Sequence, residues 1–342
     1  MKLTIGIKAF NEEQHIAASL ASAVEAARAL DGEVVLADSC STDRTVEIAK
    51  TFPVRIVQLA DPTDRSCGAG AQLAFQHAAG ELFYLLDGDM VLDPEFLPAA
   101  IDFLERNPDV AAVGGRVEEL NIHGHEFQIR ADSLLKDPNR IPGIVDRLDG
   151  GGLYRASAVR DAGYLADRNL HAFEEFELAA RLQSKGWKLA RIDRHAVDHY
   201  GYKMDGYELL WHRAKLGYSG AAGEILRAAI GGSHLSFVVR KLGHIRNAAA
   251  VILWWIVLLA SIATPMPLSA RVLLLLVLVA GPIAVLSLRR RSLSLGLYSF
   301  VAWNVVALGM LTGLFRKRVS PAQPLSSLKL ETHAGPNVSP IT

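Results

Sequence analysis

The sequence predicts an α/β fold built on a mostly parallel sheet with helices on both faces, followed by membrane-spanning helices at the C-terminal end. Three observations predict it. Short apolar runs alternate with helical patterns from Leu3 to Ile192, acidic residues collect where those runs stop, and three charge-poor apolar stretches follow Arg246.

Leu3 to Ile7 reads as a first strand, closed by Lys8-Ala9-Phe10-Asn11, and Glu12 to Leu30 as a helix with Ala, Leu and Val at helical spacing. Val34 to Ala37 is a second strand ending at Asp38. Ser41 or Thr42 then caps a helix running to Lys50. Val54 to Leu59 is a third strand, the Pro-, Asp- and Gly-rich stretch from Ala60 to Gly70 a loop, and Ala71 to Ala79 a helix. Leu82 to Leu86 is a buried strand that delivers Asp87-Gly88-Asp89. A helix over Pro94 to Arg106, a strand over Val110 to Val117, a helix from Ala156, another opened by His171 to Leu178, and a last strand over Leu189 to Ile192 complete this part. Residues 118–147 are mixed and polar and receive no assignment, except as a wall on the acceptor side.

From Gly206 to Ile245 helical segments carry Tyr207, Trp211, Arg213, Phe237, Arg240 and Lys241. They suit the bilayer surface and equally suit packing on the preceding domain. Ala248 to Ile262, Val272 to Leu288 and Leu293 to Phe315 are apolar, and spanning takes about 20 such residues. A hairpin turning at Thr264-Pro265-Met266-Pro267 returns Arg289-Arg290-Arg291 to the starting side, whereas a third span leaves Arg316-Lys317-Arg318 on the other. Both two and three spans stay open. The expected organisation is residues 1–205 as the catalytic domain, 206–245 interfacial, 246–318 transmembrane and 319–342 a disordered tail.

Composition narrows the function. The chain of 342 residues carries no net charge, but nine Lys and Arg stand against one acid from Arg246 onward, leaving 27 basic and 35 acidic residues before it. An acidic front part excludes broad nucleic-acid binding. Only Cys40 and Cys67 are present, without metal-ligand spacing, which fits a reducing compartment. The N-terminal residues lack the apolar core of a signal peptide, so the front part is expected in the cytoplasm, at the inner face of the plasma membrane.

Asp87 and Asp89 carry the chemistry. Two carboxylates at the carboxyl end of a strand, with Gly88 between them for close approach, suit Mg²⁺ or Mn²⁺ over a diphosphate. Alone, the tripeptide reads equally as a solvated turn. Asn11-Glu12-Glu13 and Asp38 reach the same sheet edge, where nucleotides bind.

Four ordered runs resemble glycosyltransferase family 2. They are Ile7-Lys8-Ala9-Phe10-Asn11-Glu12-Glu13, Val35 to Thr45, Gly80 to Asp89, and Glu174-Glu175-Phe176-Glu177-Leu178-Ala179-Ala180-Arg181-Leu182. The resemblance covers about residues 3–200 and implies the GT-A fold, a nucleotide-diphosphate sugar donor and inversion at the anomeric carbon. It implies that Phe10 and Glu12 approach base and ribose, that Asp38 binds the nucleobase, that Asp87 serves the ribose or the metal, and that Asp89 ligates the metal. His199 stands where GT-A enzymes supply a late histidine to the metal. Glu175 stands where the family's Glu-Asp pair carries its base, one methylene longer than usual. Trp211-His212-Arg213 replaces the Gln-x-x-Arg-Trp signature of processive relatives, which favours transfer of a single sugar and leaves Arg213 to clamp the diphosphate. The implied acceptor is lipid-linked, or a glycan near the membrane, in envelope or exopolysaccharide synthesis. The competing expectation is a catalytically idle membrane anchor within a polysaccharide-synthesis complex.

Overall fold

The structure is a computed structural model, and it describes residues 2–120, 129, 137–201 and 204–332. Two compact units divide these residues. Residues 2–120, 137–201 and 318–332 belong to the first, Ile129 and residues 204–317 to the second.

The first unit is one mixed sheet with helices on both faces. In chain order it comprises β1 (Leu3–Ala9), α1 (Ile16–Ala29), β2 (Glu33–Asp38), α2 (Thr45–Ala49), β3 (Arg55–Leu59), α3 (Cys67–Gln76), β4 (Leu82–Asp87), β5 (Met90–Leu92) and α4 (Phe96–Arg106). It continues through β6 (Val110–Glu119), β7 (Gly143–Val145), β8 (Gly152–Arg155), α5 (Ala156–Asp161), α6 (Glu174–Ser184), β9 (Lys188–His199) and β10 (Ser327–Leu330). The strand order is β10-β3-β2-β1-β4-β8-β6-β9-β5, with β7 paired to β9.

The expected parallel arrangement holds for β3, β2, β1 and β4. Beyond β4 the sheet is mixed, because β8 runs antiparallel to both β4 and β6, while β6 and β9 are parallel. β1 is buried on both faces, which is why it reads as a continuous apolar run. Leu3, Ile5 and Ile7 pack with α1 and α4 on one side. Val35, Val57 and Phe83 pack with α3, α5 and α6 on the other.

Several boundaries differ from expectation for physical reasons. α3 begins at Cys67 rather than Ala71, because Ser66 caps it by accepting a hydrogen bond from the Ala69 amide at 2.9 Å. Gly68 looked like a loop residue but belongs to the helix, where a Cβ would collide with the Asp167 carbonyl. β6 runs to Glu119 and β9 to His199, since the two pair beyond the apolar stretches that announced them. The tail expected to be disordered from 319 is, over 319–332, folded onto the first unit: β10 pairs antiparallel with the outer edge of β3. Residues 333–342 lie outside the described residues.

The second unit holds α7 (Gly206–Lys215), α8 (Ala221–Ala229), α9 (Leu235–Lys241), α10 (Gly243–Ala263), α11 (Leu268–Arg290) and α12 (Leu293–Phe315). The last three are long and apolar enough to cross a membrane. Trp254 donates from its indole to the Leu278 carbonyl at 2.9 Å, and Trp255 to Asn304 Oδ1 at 2.8 Å, so all three touch near their midpoints.

Candidate active site

Strand register builds the site. Lys8 stands opposite Asp87, and Ala9 opposite Asp38, so β1, β2 and β4 end level and their terminal side chains share one edge. β9 then brings His199 to the same place from far along the chain. It pairs with Met90 on one side and Glu119 on the other. The Tyr200 amide donates to the Asp89 carbonyl at 2.9 Å.

The result is a carboxylate cluster. His199 Nε2 lies 3.2 Å from Asp89 Oδ2, and its Nδ1 lies 2.6 Å from Glu119 Oε2. Burial pulls the imidazolium's pKa down, but the two carboxylates outweigh it and hold His199 at about 10. Glu12 lies across Gly88, where a Cβ would come within 3.0 Å of the Glu12 side chain. Burial, then the charges of Asp89, Asp87 and Asp43, push its carboxyl up to about 8. Asp87 is raised by burial, with Lys8 opposing the shift and Asp89 adding to it. Glu12, Asp87, Asp89 and Glu119 thus converge with Lys8 and His199 as the cations beside them. Crowded hard oxygen donors with an imidazole among them fit a divalent cation, which would take the place of the His199 proton on binding.

Lys8 links this cluster to α6. Its ammonium reaches Asp87 Oδ1 at 3.3 Å and Glu174 Oε1 at 2.6 Å. Burial opposes its charge, yet Asp87 and Glu174 hold its pKa well above the ordinary value. Glu174 is therefore a buried partner of Lys8. Glu175 turns to the loop before β8: its two oxygens accept from the Gly150 and Gly151 amides at 3.1 and 3.0 Å. Both glycines have positive φ, and a Cβ on Gly151 would collide with the Leu85 carbonyl, so the loop conformation is tied to glycine there. Burial pushes Glu175 up to about 8, with Lys8 opposing and Glu174, Asp87 and Asp149 adding.

On the nucleotide side, Asp38 is fully buried. Its Oδ2 accepts from the Ser41 amide at 3.0 Å and from Gln58 Nε2 at 2.7 Å, while Oδ1 has no hydrogen-bond partner among the described residues. A buried carboxylate oxygen without a donor is costly, so a ligand N–H is its natural complement. The Arg65 guanidinium lies 3.9 Å from the centroid of the Phe10 ring and donates to the Ser39 carbonyl at 2.8 Å. Asn11 and Cys40, both at positive φ, help knit the loops after β1 and β2, the Thr42 amide donating to Asn11 Oδ1 at 2.8 Å.

Phe10, Glu12, Asp38, Asp87, Asp89, Glu175 and His199 thus all belong to the first unit. Arg213 lies on α7 in the second unit. Glu119 and Lys8 were not among the expected site residues. Lys8 sat inside a quoted motif, whereas Glu119 had no local signal, because it depends on pairing with a residue far along the chain.

Residues 4–163 match the family model described as glycosyl transferase family 2. They form a family 2 glycosyltransferase domain. Glu174, Glu175 and His199 lie C-terminal to the matched residues. A dodecaprenyl-phosphate galacturonate synthase of Rhizobium johnstonii is 32% identical over 224 residues, 58% of this chain and 60% of that protein. A dolichol-phosphate mannosyltransferase of Pyrococcus furiosus is 26% identical over 127 residues, 34% of this chain and 36% of the relative. The chain therefore spans less than two thirds of either. Among solved structures, mannosyltransferase PcManGT from Pyrobaculum calidifontis, in complex with GDP-Man and Mn²⁺, resembles it with a TM-score of 0.60 at 18% identity, over 91% of this chain and 87% of that one. This likeness supports the GT-A fold of the glycosyltransferase domain.

Proposed function

We propose that the protein is a membrane-bound inverting glycosyltransferase that moves one sugar from a nucleotide-diphosphate sugar, UDP- or GDP-linked, to a lipid-linked acceptor in envelope or exopolysaccharide synthesis. The observation that carries this reading is the carboxylate cluster of Asp87, Asp89, Glu12 and Glu119 around His199, next to the unpartnered Oδ1 of Asp38. Cys40 and Cys67 form no disulfide, which suits a catalytic unit on the cytoplasmic side.

Asp38 Oδ1 accepts a hydrogen bond from the nucleobase, Phe10 flanks the base, and Glu12 approaches the ribose. Asp89 and His199, with Asp87, would hold Mg²⁺ or Mn²⁺. Once bound, that ion supplies positive charge to the leaving diphosphate. Glu119, bonded to the far nitrogen of His199, fixes the imidazole's orientation, as outer carboxylates do for ligating histidines.

On the acceptor side Glu175 takes the proton of the attacking hydroxyl. The acceptor oxygen bonds to the anomeric carbon as the bond to the diphosphate breaks, which inverts that carbon. A carboxyl raised by burial to about 8 is matched to this task near neutral pH. A second reading rests on the two relatives whose names specify polyprenyl-type phosphates. A phosphate acceptor is already ionised and needs no base. Glu175→Gln separates the readings. With a hydroxyl acceptor, donor binding persists and turnover falls at least ~100-fold. Near-normal turnover would assign the phosphate acceptor and leave Glu175 as an anchor for Gly150 and Gly151.

A further inference from the structure

We propose that residues 318–325, which follow the last apolar helix in sequence, are part of the donor site, a role that rests on the nucleobase seat at Phe10 and Asp38 proposed above. They act through Arg168, a positioning residue that holds the loop carrying Arg65 over Phe10.

The tail is anchored on the loop 167–170, between α5 and α6 of the first unit. Arg318 pairs with the fully buried Asp167 at 2.8 Å. Asn169 brackets Val319, accepting from its amide and donating to its carbonyl, both at 2.8 Å. Arg168 lies between these two anchors, and its Nη1 donates to the Gln323 and Pro324 carbonyls, each at 3.3 Å. Gln76 then brackets Leu325 at 2.8 and 2.9 Å. A guanidinium only 8% exposed needs acceptors along its edges, and the tail supplies two of them.

The other side of Arg168 meets the donor loop. Its Nη2 pairs with Asp64 Oδ2 at 2.8 Å, and its carbonyl accepts from Ser66 Oγ at 2.7 Å. Arg65 is the residue between Asp64 and Ser66, so both of its chain neighbours are tied to Arg168. The Gly68 amide donates to the Leu170 carbonyl at 2.9 Å, which holds the first turn of α3 to the same loop. From this fixed main chain the Arg65 guanidinium lies over the Phe10 ring and donates to the Ser39 and Cys40 carbonyls at 2.8 and 3.2 Å. Arg65 is thus ordered before a nucleotide arrives, and a group ordered in advance costs less to use in binding.

Covering the edge of β3 does not account for these contacts. The β10 ladder begins at Ser327, beyond the residues that Arg168 holds. A donor site built in this way is complete only when the chain beyond α12 is in place.

The test is isothermal titration of the full-length chain with UDP and with GDP in the presence of Mn²⁺, beside inorganic pyrophosphate, which reports on the metal end alone. Arg168→Gln should weaken the nucleotide that the wild type binds by about tenfold and change pyrophosphate by less than about twofold. Asp64→Asn cuts the same link at a half-exposed side chain and should act alike where Arg168→Gln disturbs folding. Asn169→Ala combined with Gln76→Ala frees the tail on both sides of Gln323 and Pro324, and should also weaken the nucleotide selectively. Arg65→Ala should cost a similar factor, and adding Asp64→Asn to it should cost nothing more, since Asp64 acts through Arg65. Nucleotide binding undiminished in the Arg168, Asp64 or tail variants, an equal loss of pyrophosphate, or additive losses in the double variant overturns the proposal while leaving the donor site standing. A wild-type chain that binds neither UDP nor GDP removes the donor site itself, and the proposal with it.

Discussion

Lys8 stands between the two halves of the site, with one carboxylate from β4 and one from α6 on its ammonium. Removing it leaves Asp87 and Glu174 facing each other without compensation. Lys8→Ala should therefore destabilise the first unit by about 3 kcal/mol, as breaking buried pairs does, measured by denaturant titration. It should also act on Glu175. Lys8 favours the ionised form of that carboxyl, and burial disfavours it. Because a general base works deprotonated, kcat/KM of the wild type should rise with pH through a midpoint at about 8 and level off above it. The rising limb should move to higher pH in Lys8→Ala and be absent in Glu175→Gln. Asp38, Asp87 and Asp89 were legible in the sequence because each closes an apolar run, and Glu175 because its motif is local. Lys8 was visible but unassigned, since its partners come from two other elements.

At the scale of elements, the loop before β8 and the strand β10 show what patterns leave out. Gly151 at φ +90 holds the amide that Glu175 accepts from. Gly151→Ala should cost about 1–3 kcal/mol in backbone strain and, by displacing that amide, lower turnover more than donor affinity. Steady-state kinetics beside a thermal melt checks both. β1 to β4 were readable because parallel strands buried on both faces are continuously apolar. Ser327-Ser326-type polarity hid β10, which alternates Ser-Leu-Lys-Leu at a sheet edge and owes its structure to β3 and to Gln76. Deleting residues 326–332 should uncover the edge of β3. Lower melting temperature and self-association in light scattering are expected relative to the full chain. Glu119 was hidden in the same way, since only the β6–β9 register brings it to His199.

At the scale of the molecule, a family 2 glycosyltransferase domain is joined in sequence to three apolar helices, and the chain after those helices returns to complete the domain's sheet. That return was invisible in composition, which marks the tail only as Pro- and Ser-rich. The account of function rests on a divalent ion seated at Asp89 beside the nucleotide. Isothermal titration of UDP- and GDP-sugars into the purified full chain, with and without Mn²⁺, tests this most directly when Asp89→Asn is run in parallel. The account predicts that at least one of these donors binds the wild type only when Mn²⁺ is present, and that Asp89→Asn abolishes this binding while its melting temperature stays near that of the wild type. Equal binding with and without the metal, undiminished binding by the variant, or no binding of any nucleotide sugar would contradict it.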